Sequence, residues 1–251
     1  METTRKIPEV TLAFWVMKVC ATTLGETGGD LLSMTMKVGY AVSSLILIGF
    51  FVVTVSAQLA AKRYHPPLYW AVIVSTSTAG TTMSDFMDRT LGLGYVVGSL
   101  LLLGLLAAVL TVWRLMEGSL SVDRVATRRG EAFYWGAILV SNTLGTALGD
   151  FLADSSGLGF LGGAALIGGL LALTVAVTYF TRVSRVLLFW VAFVLTRPFG
   201  ATVGDVLTKP HDRGGLGLGT LGSSAVLAAV LVMLVVYAAR RDSDATGPRV
   251  A

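Results

Sequence analysis

Cysteine is nearly absent: Cys20 stands alone in 251 residues, so no internal disulfide can form. Histidine is almost as scarce. Both copies, His65 and His211, fall between the long apolar stretches, which argues against a zinc or copper centre. Charge is thin as well, with Asp, Glu, Lys and Arg making up 14% of the chain, against roughly 25% in an ordinary soluble domain. Disorder and a coiled coil both need more charge than this, so neither fits. What the chain has instead is 54% apolar residues, a mean hydropathy of +0.76 and 29 glycines. Such a composition in water would leave large apolar patches exposed. It points to lipid as the usual solvent.

A helix needs about 20 apolar residues to cross a hydrocarbon layer of about 30 Å. Eight stretches qualify: 8–30, 40–60, 67–87, 93–113, 132–153, 158–180, 187–207 and 217–238. The polar start METTRKIPE leads into the first of them without a small-residue cleavage site, so that span is expected to be kept. The even spans are aliphatic and uncharged, which suits lipid. The odd ones carry Thr, Ser, Asn, Gly and acids in their second halves, which suits a protected interior.

The net charge of +4 would raise the question of nucleic acid in a soluble protein, but here the charges sit in clusters between apolar stretches. Thirteen of the nineteen basic residues fall on one side of the expected membrane: Arg5, Lys6, Lys62, Arg63, Arg114, Arg124, Arg128, Arg129, Arg182, Arg185, Arg240, Arg241 and Arg249. Only Lys37, Arg89, Lys209 and Arg213 fall on the other, with Lys18 and Arg197 inside spans. The positive side faces the cytoplasm. The expectation is a multi-pass protein of the bacterial inner membrane, with both termini cytoplasmic and 114–131 as the main cytoplasmic loop.

The chain repeats itself four times. An aromatic-Trp pair opens each odd span: Phe14-Trp15, Tyr69-Trp70, Tyr134-Trp135 and Phe189-Trp190. Ten residues after each Trp stands Gly25, Gly80, Gly145 or Gly200; fourteen after it stands Gly29, Ser84, Gly149 or Gly204; fifteen after it stands Asp30, Asp85, Asp150 or Asp205. A Gly-aromatic pair then opens the even span at Gly39-Tyr40, Gly94-Tyr95 and Gly159-Phe160. The fourth copy reaches Gly219-Thr220 after five extra residues. The Trp-to-Trp distances of 55, 65 and 55 mark two halves joined by a longer middle connection.

These residues resemble those of the bacterial membrane proteins built from four tandem two-span repeats of unknown function, each copy marked by a tryptophan. The resemblance covers the chain from about Pro8 to Tyr237. It implies architecture and no activity. The expected fold is an all-α integral membrane protein of eight transmembrane helices. It forms one membrane domain over 1–251, with repeats 8–62, 67–117, 132–182 and 187–241. Two spans per repeat leave all four in parallel orientation around a pseudo-symmetry axis normal to the membrane.

At about 100° per residue, positions 10 and 14 after the Trp form a small-residue stripe along which helices can approach closely. Positions 8, 11 and 15 share another face. Position 8 holds Thr23, Thr78, Thr143 and Pro198; position 11 holds Glu26, Thr81, Thr146 and Ala201; position 15 holds the aspartates. Position 7 is also polar in every copy: Thr22, Ser77, Asn142 and Arg197. Eight of fifteen acids cluster near the outer ends of the odd spans, namely Glu26, Asp30, Asp85, Asp88, Asp150, Asp154, Asp205 and Asp212. Carboxylates at close range share protons or a cation, and an all-oxygen set suits Ca²⁺, Mg²⁺ or Mn²⁺.

Glu26, Asp30, Asp85, Asp150 and Asp205 are therefore candidate ligands for a divalent cation as substrate. Lys18, Thr23, Thr78, Thr81, Asn142, Thr143, Thr146 and Arg197 are candidate path or gating residues. The segment Glu26-Thr27-Gly28-Gly29-Asp30 also resembles the acid-glycine-acid signatures of some manganese and calcium exporters. Simpler roles exist for each group. The aspartates would equally cap the turn into the even span, Lys18 would snorkel or face an interior carboxylate, and the tryptophans would pack between repeats. Pro198 frees a carbonyl in the seventh span.

The functional expectation is transport of a hard cation through an acid-lined interior. The alternatives are a proton-coupled transporter of a small solute and a non-transporting scaffold or sensor whose basic loop meets a partner or anionic lipid. No in-span histidine and no nucleophile-base spacing points to an enzyme. The partners expected are the bilayer and the cation or solute, with no nucleic acid; a homo-oligomer is compatible with the sequence.

Overall fold

The computed structural model describes residues 8–122, 125 and 127–246, the side chains of 241–246 excepted. Arg5, Lys6, Arg124 and Arg249 lie outside the described residues, as does the Arg241 side chain. Eight long α-helices run in chain order: α1 Leu12–Asp30, α2 Tyr40–Ala60, α3 Pro66–Asp85, α4 Gly94–Glu117, α5 Arg128–Asp150, α6 Gly159–Phe180, α7 Arg185–Thr208 and α8 Thr220–Thr246. No strand occurs among the described residues. The helices begin where local chemistry favours it. Thr11, Thr127 and Ser184 cap α1, α5 and α7 by accepting from the amides of Phe14, Gly130 and Leu187, while α3 opens on Pro66-Pro67. The helices α4 and α5 extend into the expected 114–131 loop, leaving a shorter connection.

After α1, α3 and α5 the chain makes one π-helical turn, at Leu31–Thr35, Phe86–Thr90 and Phe151–Ser155. A sharp reversal into the even helix follows. The glycine of the Gly-aromatic pair takes that reversal, with φ of 82° at Gly39, 70° at Gly94, 66° at Gly159 and 74° at Gly219, backbone that a side chain disfavours. In the fourth repeat α7 runs on past Asp205 to Thr208 and a 3₁₀ turn over His211–Arg213 stands where the others have the π turn; the five extra residues fall between Asp205 and Gly219.

The odd helices form a closed inner ring, α1 on α3, α3 on α5, α5 on α7 and α7 on α1. Each even helix lies outside this ring against the odd helix of the next repeat: α2 on α3, α4 on α5, α6 on α7 and α8 on α1. The outer faces are Leu- and Val-rich, as at Leu45, Leu100, Leu161 and Leu221. Among the described residues, six helices (α2, α4, α5 with its π turn, α6, α7 and α8) are long and apolar enough to cross a membrane. The more polar α1 and α3 are sheltered within the ring.

Equivalent positions build every junction of the ring. A Cβ on Gly25 would run into Ser77, on Gly80 into Asn142, on Gly145 into Arg197 and on Gly200 into Thr22. The position-10 glycine of each repeat thus seats the position-7 residue of the next, and the fourth repeat closes on the first. One turn on, Gly29, Gly149 and Gly204 seat Thr81, Ala201 and Glu26 in the same way. The aromatic pairs obey the same rule: Phe14 packs on Trp70, Tyr69 on Trp135, Tyr134 on Trp190 and Phe189 on Trp15, with ring centroids 5.7, 5.4, 6.4 and 5.8 Å apart. The Tyr69 and Tyr134 hydroxyls also bond each other at 2.7 Å.

Candidate functional site

The inner ring encloses a core made of layers, one helical turn apart. The aromatic pairs close one end. Next, three residues after each Trp, come Lys18, Ile73, Ile138 and Phe193, all fully buried. Lys18 neither snorkels nor meets a carboxylate. Its Nζ donates to Asn142 Oδ1 at 3.4 Å and lies 4.1 Å from the centre of the Phe193 ring.

The next two layers belong to Arg197, whose exposure is 0%. Its guanidinium donates to Glu26 Oε2 at 3.0 Å, to Thr146 Oγ1 at 2.7 Å, to Thr81 Oγ1, and to the carbonyls of Thr22 and Ser77, both at 3.3 Å. One side chain of α7 therefore bonds all three other inner helices. Asn142 completes the layer by donating to Thr76 Oγ1 at 2.9 Å and Ser77 Oγ at 3.3 Å. With Lys18, Thr22, Ser77, Asn142 and Arg197 all inaccessible to solvent, the axis is plugged at these levels.

The repeated aspartates lie a turn further on, each no more than 4% exposed. They do not cap the turns: Asp30, Asp85 and Asp150 make no side-chain capping bond to the π turn that each precedes. They pair off instead, and a base bridges each pair. Lys209 Nζ lies 2.9 Å from Asp30 Oδ2 and 3.1 Å from Asp205 Oδ1. Arg89 lies 2.9 Å from Asp85, 3.2 Å from Asp150 and 4.0 Å from Asp154. Burial works against the Lys209 ammonium, but Asp205 and Asp30 outweigh it and hold its pKa above the ordinary lysine range.

Glu26, Asp30 and Asp205 each place a carboxylate oxygen within 4.8 Å of the others, close enough to ligate one ion. Asp85 and Asp150 form the second pair; position 11 is Thr in their repeats, and the further acid there is the exposed Asp154, 4.0 Å from Arg89. Thr81 and Thr146 join the Arg197 cluster, whereas Thr23, Thr78 and Thr143 donate to carbonyls of their own helices. The layers thus run through positions 3, 7, 11 and 15.

Arg89 and Lys209 are the residues that sequence reasoning passed over. Each stands four residues after a repeated aspartate, the spacing of an ion pair along one helix. The first and third repeats carry Met34 and Asp154 there. The bases thus recur once per half, not once per repeat.

No curated protein and no solved structure matches the chain. A family model described as Repeat of Unknown Function (DUF347) matches it four times in tandem, over residues 13–64, 68–119, 133–184 and 188–244. The chain belongs to that family of four tandem repeats.

Proposed function

We propose that this protein transports a hard cation, of the Mn²⁺, Ca²⁺ or Mg²⁺ class, along the axis of the four inner helices. In this reading all eight helices cross the bacterial inner membrane and the four repeats point the same way. The aromatic, base-rich end and both termini face the cytoplasm. The observation that carries the reading is the layer formed by Asp30, Asp85, Asp150, Asp205 and Glu26. Five buried carboxylates from four helices meet at one end of a shared core, an expensive arrangement in a membrane protein unless it is used.

Two of the five are joined by an ammonium and two by a guanidinium, so positive charge already occupies the places that a transported cation would take. Arg197 and the aromatic pairs seal the way beyond. The acid layer is therefore a binding mouth, and passage requires the seal to rearrange. The test is uptake of Mn²⁺, Ca²⁺ and Mg²⁺ into proteoliposomes by wild type and by Asp30→Asn, Asp85→Asn, Asp150→Asn and Asp205→Asn. Wild-type flux that falls in each variant supports the reading. Flux that follows a pH gradient and ignores divalent ions refutes it in favour of proton-coupled solute transport. Divalent flux that all four substitutions leave unchanged refutes the acid layer as the route.

A further inference from the structure

The two bridges share a property that fourfold packing does not demand. The ring has four junctions, two inside the halves (α1/α3 and α5/α7) and two between them (α1/α7 and α3/α5). Lys209 joins Asp205 of α7 to Asp30 of α1, and Arg89 joins Asp85 of α3 to Asp150 of α5. Both bridges thus cross from one half to the other. Among the described residues, no ion pair at the aspartate layer joins α1 to α3 or α5 to α7. Three smaller ties at this end also join half to half, Thr35 with Thr220 at 2.7 Å, Ser224 with Thr27 at 2.8 Å and Tyr95 with Asp154 at 3.2 Å, while Thr81 donates to Glu26 at 3.3 Å within the first half.

We infer that Lys209 and Arg89 are paired clasps that hold the acid end of the two halves shut, and that their release lets the halves part there. Both bases sit at the mouth, their side chains 20% and 34% exposed, so each can swing into water without crossing the packed core. The opposite end acts as the hinge. There the halves stay joined by the Tyr69–Tyr134 hydrogen bond and by Phe189 on Trp15. Opening reaches inward as far as Arg197, which still ties α7 to Glu26 and Thr22 of α1. If the protein carries a divalent cation, as proposed above, the ion itself can work the clasps. Lys209 faces two carboxylates, and Arg89 faces two with Asp154 at 4.0 Å besides, so a divalent ion in the base's place brings each clasp one charge closer to neutral. The transported ion would then release its own clasps.

The test cuts only the leg of each clasp that crosses between halves. Asp30→Asn with Asp150→Asn and Asp154→Asn leaves Lys209 paired with Asp205, and Arg89 paired with Asp85, within their own helices, so neither base is orphaned. In a Cys20→Ala background, spin labels go on exposed acid-end positions in liposomes. Met36 with Leu218 and Leu91 with Leu158 span the halves, while Met36 with Leu91 and Leu158 with Leu218 stay within one.

The expected result is that both cross-half distances lengthen by about 5 Å, one helical turn, while the within-half distances hold. Lys209→Met with Arg89→Met should give the same pattern from the other side of each bridge. Unchanged cross-half distances in both variants overturn the clasps, and so does equal lengthening of all four pairs. Millimolar Ca²⁺ added to the wild type separates the two ideas. Lengthening across the halves supports release by the ion. Lengthening in the variants but not with Ca²⁺ keeps the clasps and refutes the ion as their key.

Discussion

Arg197 offers the sharpest test of the core. Its guanidinium has lost all contact with water and is repaid by Glu26 and by four neutral acceptors on three other helices. Arg197→Met deletes the cation and strands the Glu26 carboxylate, which is 3% exposed. Breaking one side of a buried pair in this way costs about 3–5 kcal/mol. In a chain of this length each kcal/mol moves the melting point by about 2–4 °C, so the variant should melt roughly 10 °C lower. Glu26→Met alone strands the guanidinium and should cost a similar amount.

The double variant, Arg197→Met with Glu26→Met, should recover most of the loss. Thr81 and Thr146 keep acceptors in their own helix, Ser77 O at 3.1 Å and Asn142 O at 3.5 Å, so removing both charges orphans neither hydroxyl. Two unbranched apolar side chains then fill similar volume, a replacement that is often neutral or better. Thermal melting in detergent, run as a double-mutant cycle, should return a coupling of about 5 kcal/mol or more, the two single losses less the small cost of the double. A single variant that melts within about 2 °C of wild type would refute the reasoning, and so would a double variant as damaged as the sum of the singles.

Three further outcomes follow from the same geometry. Gly145→Val should destabilise strongly by driving into Arg197, while Gly104→Ala, with nothing within 4 Å of the added carbon, should gain up to about 1 kcal/mol of helix propensity; equal effects in melting assays would show that the glycine stripe does not set the junctions. Tyr69→Phe removes a buried hydroxyl pair at 2.7 Å and should cost about 1–2 kcal/mol, a loss that Tyr134→Phe does not deepen if the two hydroxyls serve only each other. Lys209 has a folded pKa raised above its unfolded value, so its stabilisation is complete below about pH 10.4 and fades only as pH rises through the folded value. The melting gap between wild type and Lys209→Met should therefore be the same at pH 7 and at about pH 10, and a gap that closes by pH 9 would show that the aspartates do not hold the ammonium.

Where a feature recurs four times, the sequence revealed it, because repetition separates a packing requirement from chance. The Trp, Gly and Asp spacings translate directly into the aromatic pairs, the glycine seats and the carboxylate layer. The faces were harder to place. Helical geometry groups position 8 with positions 11 and 15, yet Thr23, Thr78 and Thr143 satisfy their own helices, while position 7 carries the cross-helix bonds. A face about 100° wide on a helical wheel does not resolve neighbours one residue apart. Lys18 illustrates a second limit. Its partners, Asn142 and Phe193, come from other repeats far along the chain, and no local spacing announces them. Arg89 and Lys209 were legible as i,i+4 partners of aspartates. Their second, cross-helix legs depend on which helices adjoin, and only the ring reveals that.

The layers differ in how much of the repeat they keep, and the differences separate scaffold from chemistry. The tryptophans and position-10 glycines are fourfold, since each makes the same junction with the next repeat. The bridging bases are twofold, at Arg89 and Lys209, with Met34 and Asp154 in the intervening copies. The Glu26–Arg197 pair and Lys18 occur once. A layer that served packing alone would gain nothing by giving up the symmetry, because four equal junctions are satisfied by four equal residues. A single ion pair on an axis does require it, because one arginine there leaves no room for three more. The aspartates keep all four copies, so symmetry is lost at the partners of charge, in the bridging bases and in the Glu26–Arg197 pair. The charged layers extend from Lys18 to Lys209, and this is the stretch in which a substitution that strands a charge, as Arg197→Met does, should cost more than one that trims an apolar side chain.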